Sequence, residues 1–189
     1  MDIFSAFGLS ASAGLNAYIP LLVVALLGKF TDLITLNSPW DALESWWVIG
    51  VLVVLSLVEF FADKIPAVNH ANDIIQTIVR PVAGAIVFAA SAQIISNIHP
   101  VLAIVLGLLV AGAVHTVKSL VVRPAVSATT AGVGNVPVSI AEDMLSTILS
   151  VISAILPILI AIIMILAALL TAYWIWRRSR RQKKEYPSV

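Results

Sequence analysis

Three long stretches without a formal charge constrain this chain more than any motif. No Asp, Glu, Lys or Arg occurs in residues 3–28, in residues 81–114 or from Met144 to Trp176. A helix that crosses a bilayer needs about 20 apolar residues, so these stretches predict membrane spans. Composition agrees: 60% of residues are hydrophobic and 11% charged, where soluble domains carry about 25% charged residues. A soluble globule and a disordered chain are both excluded. The expected fold is an all-α polytopic transmembrane bundle of about five spans. It forms a single domain over residues 1–176, followed by a basic tail at 177–189. With no cysteine in the chain, disulfides, Cys-ligated metals and thiol chemistry are excluded.

The start, MDIFSAFGLS, has no basic residue, so segment one reads as a retained membrane helix and not as a signal peptide. Pro20 predicts a kink or break near 14–20. The second span runs from Trp46 to about Ile65, with Pro66 as its end. Residues 67–80 are too polar and short to span. They predict a short amphipathic helix, capped by Asn72 or Asp73, that lies in the interface or re-enters the bundle. Ser96-Asn97-Ile98-His99-Pro100 splits the next stretch into spans at about 81–96 and 100–122. Residues 124–141 predict an unwound or re-entrant segment packed at membrane depth, where non-helical backbone is tolerated if protein surrounds it. The Ser139/Glu142 capping box sets the start of the last helix near 140. That helix is about 50 Å long at 1.5 Å per residue, so it must tilt, bend at Pro157 or project beyond the bilayer.

The net charge of +1 conceals a split: six of the eleven Lys and Arg residues follow Trp176. A basic tail after an apolar helix marks a cytoplasmic end, and nucleic-acid binding is not expected. Five crossings then put the N-terminus outside. Simple crossing also sets Lys64, Arg80, Lys118 and Arg123 on the side opposite the tail, which places them inside the bundle rather than in loops.

Ionisable groups within a bundle are expensive and suggest function. Glu59 and Asp63 are spaced i, i+4 and share a helix face. Close carboxylates in low dielectric share a proton, bind a cation or pair with bases. The acids are Glu59, Asp63, Asp73, Glu142 and Asp143; the fixed bases are Lys64, Arg80, Lys118 and Arg123. Near balance favours a structural salt-bridge network, and the position inside the membrane favours a cation or proton site. His115 lies at i, i+3 from Lys118. Asn16 and Asn135 sit among small residues before a proline, where broken helices expose polar backbone. Gly14 and Gly132 read as close-packing residues. The strings 10–20 and 127–137 are faintly alike, and Val-Arg-Pro occurs at 79–81 and at 122–124. No HExxH, nucleophile-elbow or phosphate-loop motif occurs, so no enzyme, metal or cofactor is expected.

Several strings, in order, resemble a family of small bacterial integral membrane proteins known as domain of unknown function 4126. They are Gly14-Leu-Asn-Ala-Tyr-Ile-Pro20, Glu59-Phe-Phe-Ala-Asp63-Lys64-Ile-Pro66 with Asp73, and Arg80-Pro81-Val-Ala-Gly84. His115-x-x-Lys118 with Arg123, and Asn135-Val-Pro137-Val-Ser139 with Glu142-Asp143, complete the set. The resemblance covers most of residues 8–145 and implies a membrane class without an established activity. The expected function is movement of a small solute or ion across a bacterial inner membrane. The alternative is a non-transporting scaffold or lipid-interacting protein. The bilayer is the expected partner, and five spans are few for a transporter, which leaves room for a homo-oligomer.

Overall fold

The computed structural model describes residues 3–92, 98–130 and 132–185. The expected turn at 96–97 lies outside the described residues. Where described, the chain is helical: α1 (Ile3–Leu15), α2 (Tyr18–Phe30), α3 (Trp46–Ala62), α4 (Pro66–Ala92), α5 (Pro100–Val117), α6 (Arg123–Thr130), α7 (Asn135–Ile155) and α8 (Pro157–Glu185). Four segments are long and apolar enough to cross a membrane: Asn72–Ala92, Pro100–Thr130, Asn135–Ile155 and Pro157–Trp174. This is a multi-pass helical membrane bundle.

The first apolar stretch breaks where Pro20 requires. Asn16 ends α1, and its side-chain oxygen accepts from the backbone N–H groups of Tyr18 and Ile19, each at 3.1 Å. It thereby satisfies two of the donors that every helix start leaves free. The two halves fold back on each other. Phe7 packs edge-on against Phe88, and Ser10 donates to the Gly84 carbonyl at 2.6 Å, so α1 runs antiparallel to α4. α2 then returns to the end from which α1 came: Phe30 meets Trp46, and Trp40 packs against the same buried cluster as Ile3 and Ile98. The Asn16 break is thus the tip of a hairpin.

Four expected boundaries move. First, 67–80 is not a separate interfacial helix. α4 runs from Pro66 straight through Pro81. Pro66 opens a helix, where its missing N–H is harmless, instead of merely closing the one before. Pro81 forfeits one bond inside a helix whose neighbours pack tightly around it. Second, the 100–122 span does not stop at Pro124. A π-helical turn, Lys118–Val122, joins α5 to α6, with the Arg123 N–H bonded back to the Lys118 carbonyl. Third, 124–141 is not unwound. α6 and α7 form a hairpin whose bend is only a few residues long, with Val133 79% exposed at its tip. Gly132 has φ +88° with open space around it. It therefore serves the turn, which needs a left-handed residue, and not close packing. α7 starts at Asn135, so Ser139 lies within the helix and no capping box forms. Pro137 is accommodated in the first turn. Fourth, the long last helix divides at Leu156, whose backbone (φ −127°, ψ 64°) leaves the helical region, and Pro157 begins α8.

That division reverses the tail. Gly8 lies beside Ser153 and Ile160, while Ala167 and Thr171 of α8 flank Lys118 and Glu142. α8 therefore runs back down along α7. The tail leaves at the same end as Lys64, Lys118 and Arg123, not opposite them.

Close approach holds the centre together. Gly84 and Gly107 bring α4 and α5 into backbone contact; a Cβ on Gly84 would collide with Ala111, and one on Gly107 with the Gly84 carbonyl. Gly14 abuts Ala111 and Val114, as its packing role requires. A serine ladder joins α1 to α7: Ser12 Oγ lies 2.8 Å from Ser146 Oγ and 2.6 Å from Ser150 Oγ. Between apolar helices in lipid there is no hydrophobic drive to associate, so small residues and such bonds replace it.

Candidate functional site

The polar residues of five helices converge where the Asn16 tip meets the α3–α4 turn, the end of α5 and the start of α7. Arg80 is the centre, with no exposed surface. Its Nη2 donates to Glu59 Oε1 at 2.8 Å and its Nε to the same oxygen at 3.3 Å; Asp63 Oδ2 lies 3.8 Å away. Arg80 Nη1 lies 3.3 Å from His115 Nδ1. A guanidinium only donates, so Nδ1 accepts, and Nε2–H faces Thr77 Oγ at 3.3 Å. Thr77 in turn donates to the Asp73 carbonyl.

Asp63 ends α3 and is enclosed by donors. Asn72 Nδ2 donates to Oδ1 at 2.7 Å, Arg123 Nη2 to Oδ2 at 3.1 Å, and Ser139 Oγ to Oδ2 at 3.4 Å. Arg123 also grips both oxygens of Asp73 through Nη1, at 2.9 and 2.8 Å. Lys118 Nζ reaches Glu142 Oε2 at 2.7 Å and donates to the Leu15 carbonyl at 3.0 Å. That carbonyl is one of those the broken end of α1 leaves without a helical partner. Asp143 accepts from Asn16 at 3.0 Å and pairs with Lys64 at 3.3 Å. Lys64 also sits 3.2 Å from the centre of the Phe60 ring.

The π-turn explains how one helix serves so many partners. In a regular α-helix, residues five apart point to different sides. An i→i+5 turn stacks them, so Lys118 at 2.7 Å and Arg123 at 3.8 Å both reach Glu142 Oε2.

Of the residues singled out in the sequence, Asn16, Glu59, Asp63, Asp73, Arg80, His115, Lys118, Arg123, Glu142 and Asp143 meet in this one cluster. Asn135 does not: its side chain exchanges hydrogen bonds with Ser127 at 3.0 and 3.2 Å and ties α6 to α7. The Asn16/Asn135 correspondence therefore does not extend to the site, although both Val-Arg-Pro arginines enter it. Sequence reasoning missed Asn72, Gln76 and Thr77. Asn72, Gln76 and Arg80 repeat at i, i+4 and i+8, a polar stripe that emerges only once α4 is known to be continuous.

Five carboxylates thus face four fixed cations. Glu59 is 1% exposed and Gln76 2% exposed, and Glu59 Oε2 and Gln76 Oε1 lack a hydrogen-bond partner among the described residues. An unmatched buried negative charge costs several kcal/mol, a cost that protonation, a further donor or a bound cation relieves.

No curated protein and no solved structure matches the chain. A family model described as a domain of unknown function, number 4126, matches residues 3–178, which include every helix that contributes to the charged cluster. The chain belongs to that family.

Proposed function

We propose that this protein is a non-enzymatic transporter that moves a small solute or ion through the charged cluster, with a proton or monovalent cation bound at Glu59. One observation carries the proposal: five carboxylates, four of them buried and Asp73 half-buried, face four fixed cations, and Glu59 Oε2 lacks a hydrogen-bond partner among the described residues. A site that takes up one positive charge, set among helices broken at Asn16, at the α3–α4 turn and at the π-turn, has the materials for binding and release. Asp63, Asp73, Glu142 and Asp143 hold the counter-charges in place. Arg80, Lys118 and Arg123 are the partners that exchange as the site opens. The setting we propose is a bacterial inner membrane with a cytoplasmic C-terminus. Support for this orientation comes from the basic tail that follows Trp176, since Lys and Arg flanking a span mark its cytoplasmic end.

A second reading, a non-transporting scaffold, is favoured by the pairing of Lys64, Arg80, Lys118 and Arg123, each with a carboxylate within 4 Å. Proteoliposomes separate the two. Transport gives cation or proton flux, read by an entrapped dye, that Glu59→Gln abolishes while the protein keeps its fold. A scaffold gives no flux above empty liposomes.

A further inference from the structure

Beside the cluster, α5, α7 and α8 enclose a cleft of about 790 Å³, within the roughly 300–1,000 Å³ of ligand pockets. Val114, Val138, Leu145 and Ala167 line it, and almost no polar atom faces it. Lys118 and Glu142 border the cleft, but Glu142 Oε2 is held by Lys118 at 2.7 Å and by Arg123 at 3.8 Å. The Thr171 hydroxyl donates to its own helix. The cleft therefore offers water no partners and suits an apolar body alone. α8, which forms the outer wall, is the least buried of the candidate spans, so the medium at the opening is bilayer hydrocarbon. From the level of Ala113 to that of Val122 the cleft is about 13 Å deep at 1.5 Å per residue, close to the roughly 15 Å of one leaflet.

One end of this cleft leads to positive charge. Ala167 and Thr171 stand one turn apart on α8, with Thr171 nearer the tail. Beyond Thr171 come Tyr173, Trp174 and Trp176, each more than half exposed, where aromatic residues mark a membrane interface. Arg177 follows about 9 Å from Thr171 at 1.5 Å per residue, and it is the first of six Lys and Arg residues after Trp176. We propose that the cleft holds an acyl chain of one anionic phospholipid, with the phosphate at the aromatic residues and against the basic tail. The apolar wall selects hydrocarbon, and the basic run at the same end selects the sign of the headgroup, because juxtamembrane Lys and Arg attract anionic lipid. A zwitterionic lipid fills the cleft equally well but forgoes that attraction. Bound there, the lipid braces α8 against α5 and keeps water from the Lys118–Glu142 pair. The inference does not depend on the transport reading.

The test is native mass spectrometry of the full-length protein, delipidated in a nonionic detergent and given equal amounts of phosphatidylglycerol and phosphatidylcholine with the same acyl chains. One phosphatidylglycerol per protomer should be retained, with a preference of about tenfold, or roughly 1.4 kcal/mol. Glycerol phosphate, which has the charge without the chain, should not displace it. Replacing Arg177, Arg178 and Arg180 together by glutamine should erase the preference while either lipid is still retained. Ala167→Trp fills the cleft from α8 and Ala113→Trp fills it from α5; both residues are exposed, and either variant should lose both lipids. Ala168→Trp, exposed on α8 but outside the cleft wall, should keep them. An unchanged thermal transition verifies the fold of each variant, and two filling variants guard against the failure of one. Equal retention of the two lipids by the wild type would mean non-specific surrounding lipid only and overturns the inference. Retention in both filling variants equal to that of Ala168→Trp also overturns it, as does a dimer that excludes lipid and so gives the cleft to a second copy. No readout here involves flux, so the cleft assignment and the transport reading fail separately.

Discussion

Replacing Arg80 by methionine removes the one cation at the centre of the cluster and keeps most of the side-chain volume. Arg80 makes two hydrogen bonds to Glu59 Oε1, one contact to His115 and a longer approach to Asp63. Without it, both oxygens of Glu59 lack a donor, and a second negative charge goes unmatched. Breaking a buried ion pair by removing one partner costs about 3–5 kcal/mol. Arg80 and Glu59 are both essentially unexposed, so Arg80→Met belongs in that range. Replacing both partners by apolar residues is near neutral, so Arg80→Met with Glu59→Leu should recover most of the loss. The expected coupling is about 2–3 kcal/mol, at the upper end for residues in contact. Denaturation in mixed micelles, followed by tryptophan fluorescence, reads all four corners of the cycle. A loss below about 1 kcal/mol for Arg80→Met, typical of exposed pairs, with additive single effects, would refute the buried-pair reasoning.

Gly107→Leu must force α4 from α5, because a Cβ there already meets the Gly84 carbonyl and Phe88. A loss of about 1–3 kcal/mol is expected from overpacking, read as a lower thermal transition, whereas Gly50→Leu, with open space around it, should have little effect. Asn16→Leu removes the cap on α2 and the donor to Asp143; a loss of about 1–2 kcal/mol follows from the cap alone, and Asn16→Asp, which keeps the cap but not the donor, should harm Asp143 pairing while leaving α2 helical by circular dichroism. A cysteine introduced at Val133 and one after Val189 should be labelled by an impermeant reagent from the same face of the membrane, since α7 and α8 together bring the chain back to the end where α6 meets α7; labelling from opposite faces would contradict the hairpin of α7 and α8.

Much of this architecture was legible in the uncharged runs and in the prolines. Pro20 announced the α1–α2 break, and the i, i+4 spacing of Glu59 and Asp63 announced a shared face. The errors came from treating proline and glycine as local signals independent of tertiary context. Pro81 and Pro124 reside within continuous helical segments because neighbouring helices and, at 118–122, a π-turn absorb the lost bond. Ser139 and Glu142 have the spacing of a cap, yet each is held by a distant partner, Asp63 and Lys118. No sequence window contains that competition. The same holds for Asn135, whose surroundings mimic those of Asn16 but whose partner is Ser127, eight residues away. The division at Leu156 had the largest consequence. An added crossing brings the basic tail to the end that carries Lys64 and Arg123, and the apparent conflict between tail and loop charges disappears.

The central claim is that the cluster takes up one positive charge at Glu59, and charge displacement on a solid-supported membrane measures it most directly. Proteoliposomes adsorbed to the sensor receive a step in proton or monovalent-cation concentration. The account predicts a transient current in the direction of cation entry into the site. It should be absent in Glu59→Gln and retained in Ser127→Ala, which lies outside the cluster. A wild-type protein that gives no current beyond empty liposomes, or a Glu59→Gln protein that gives the wild-type current, would contradict it.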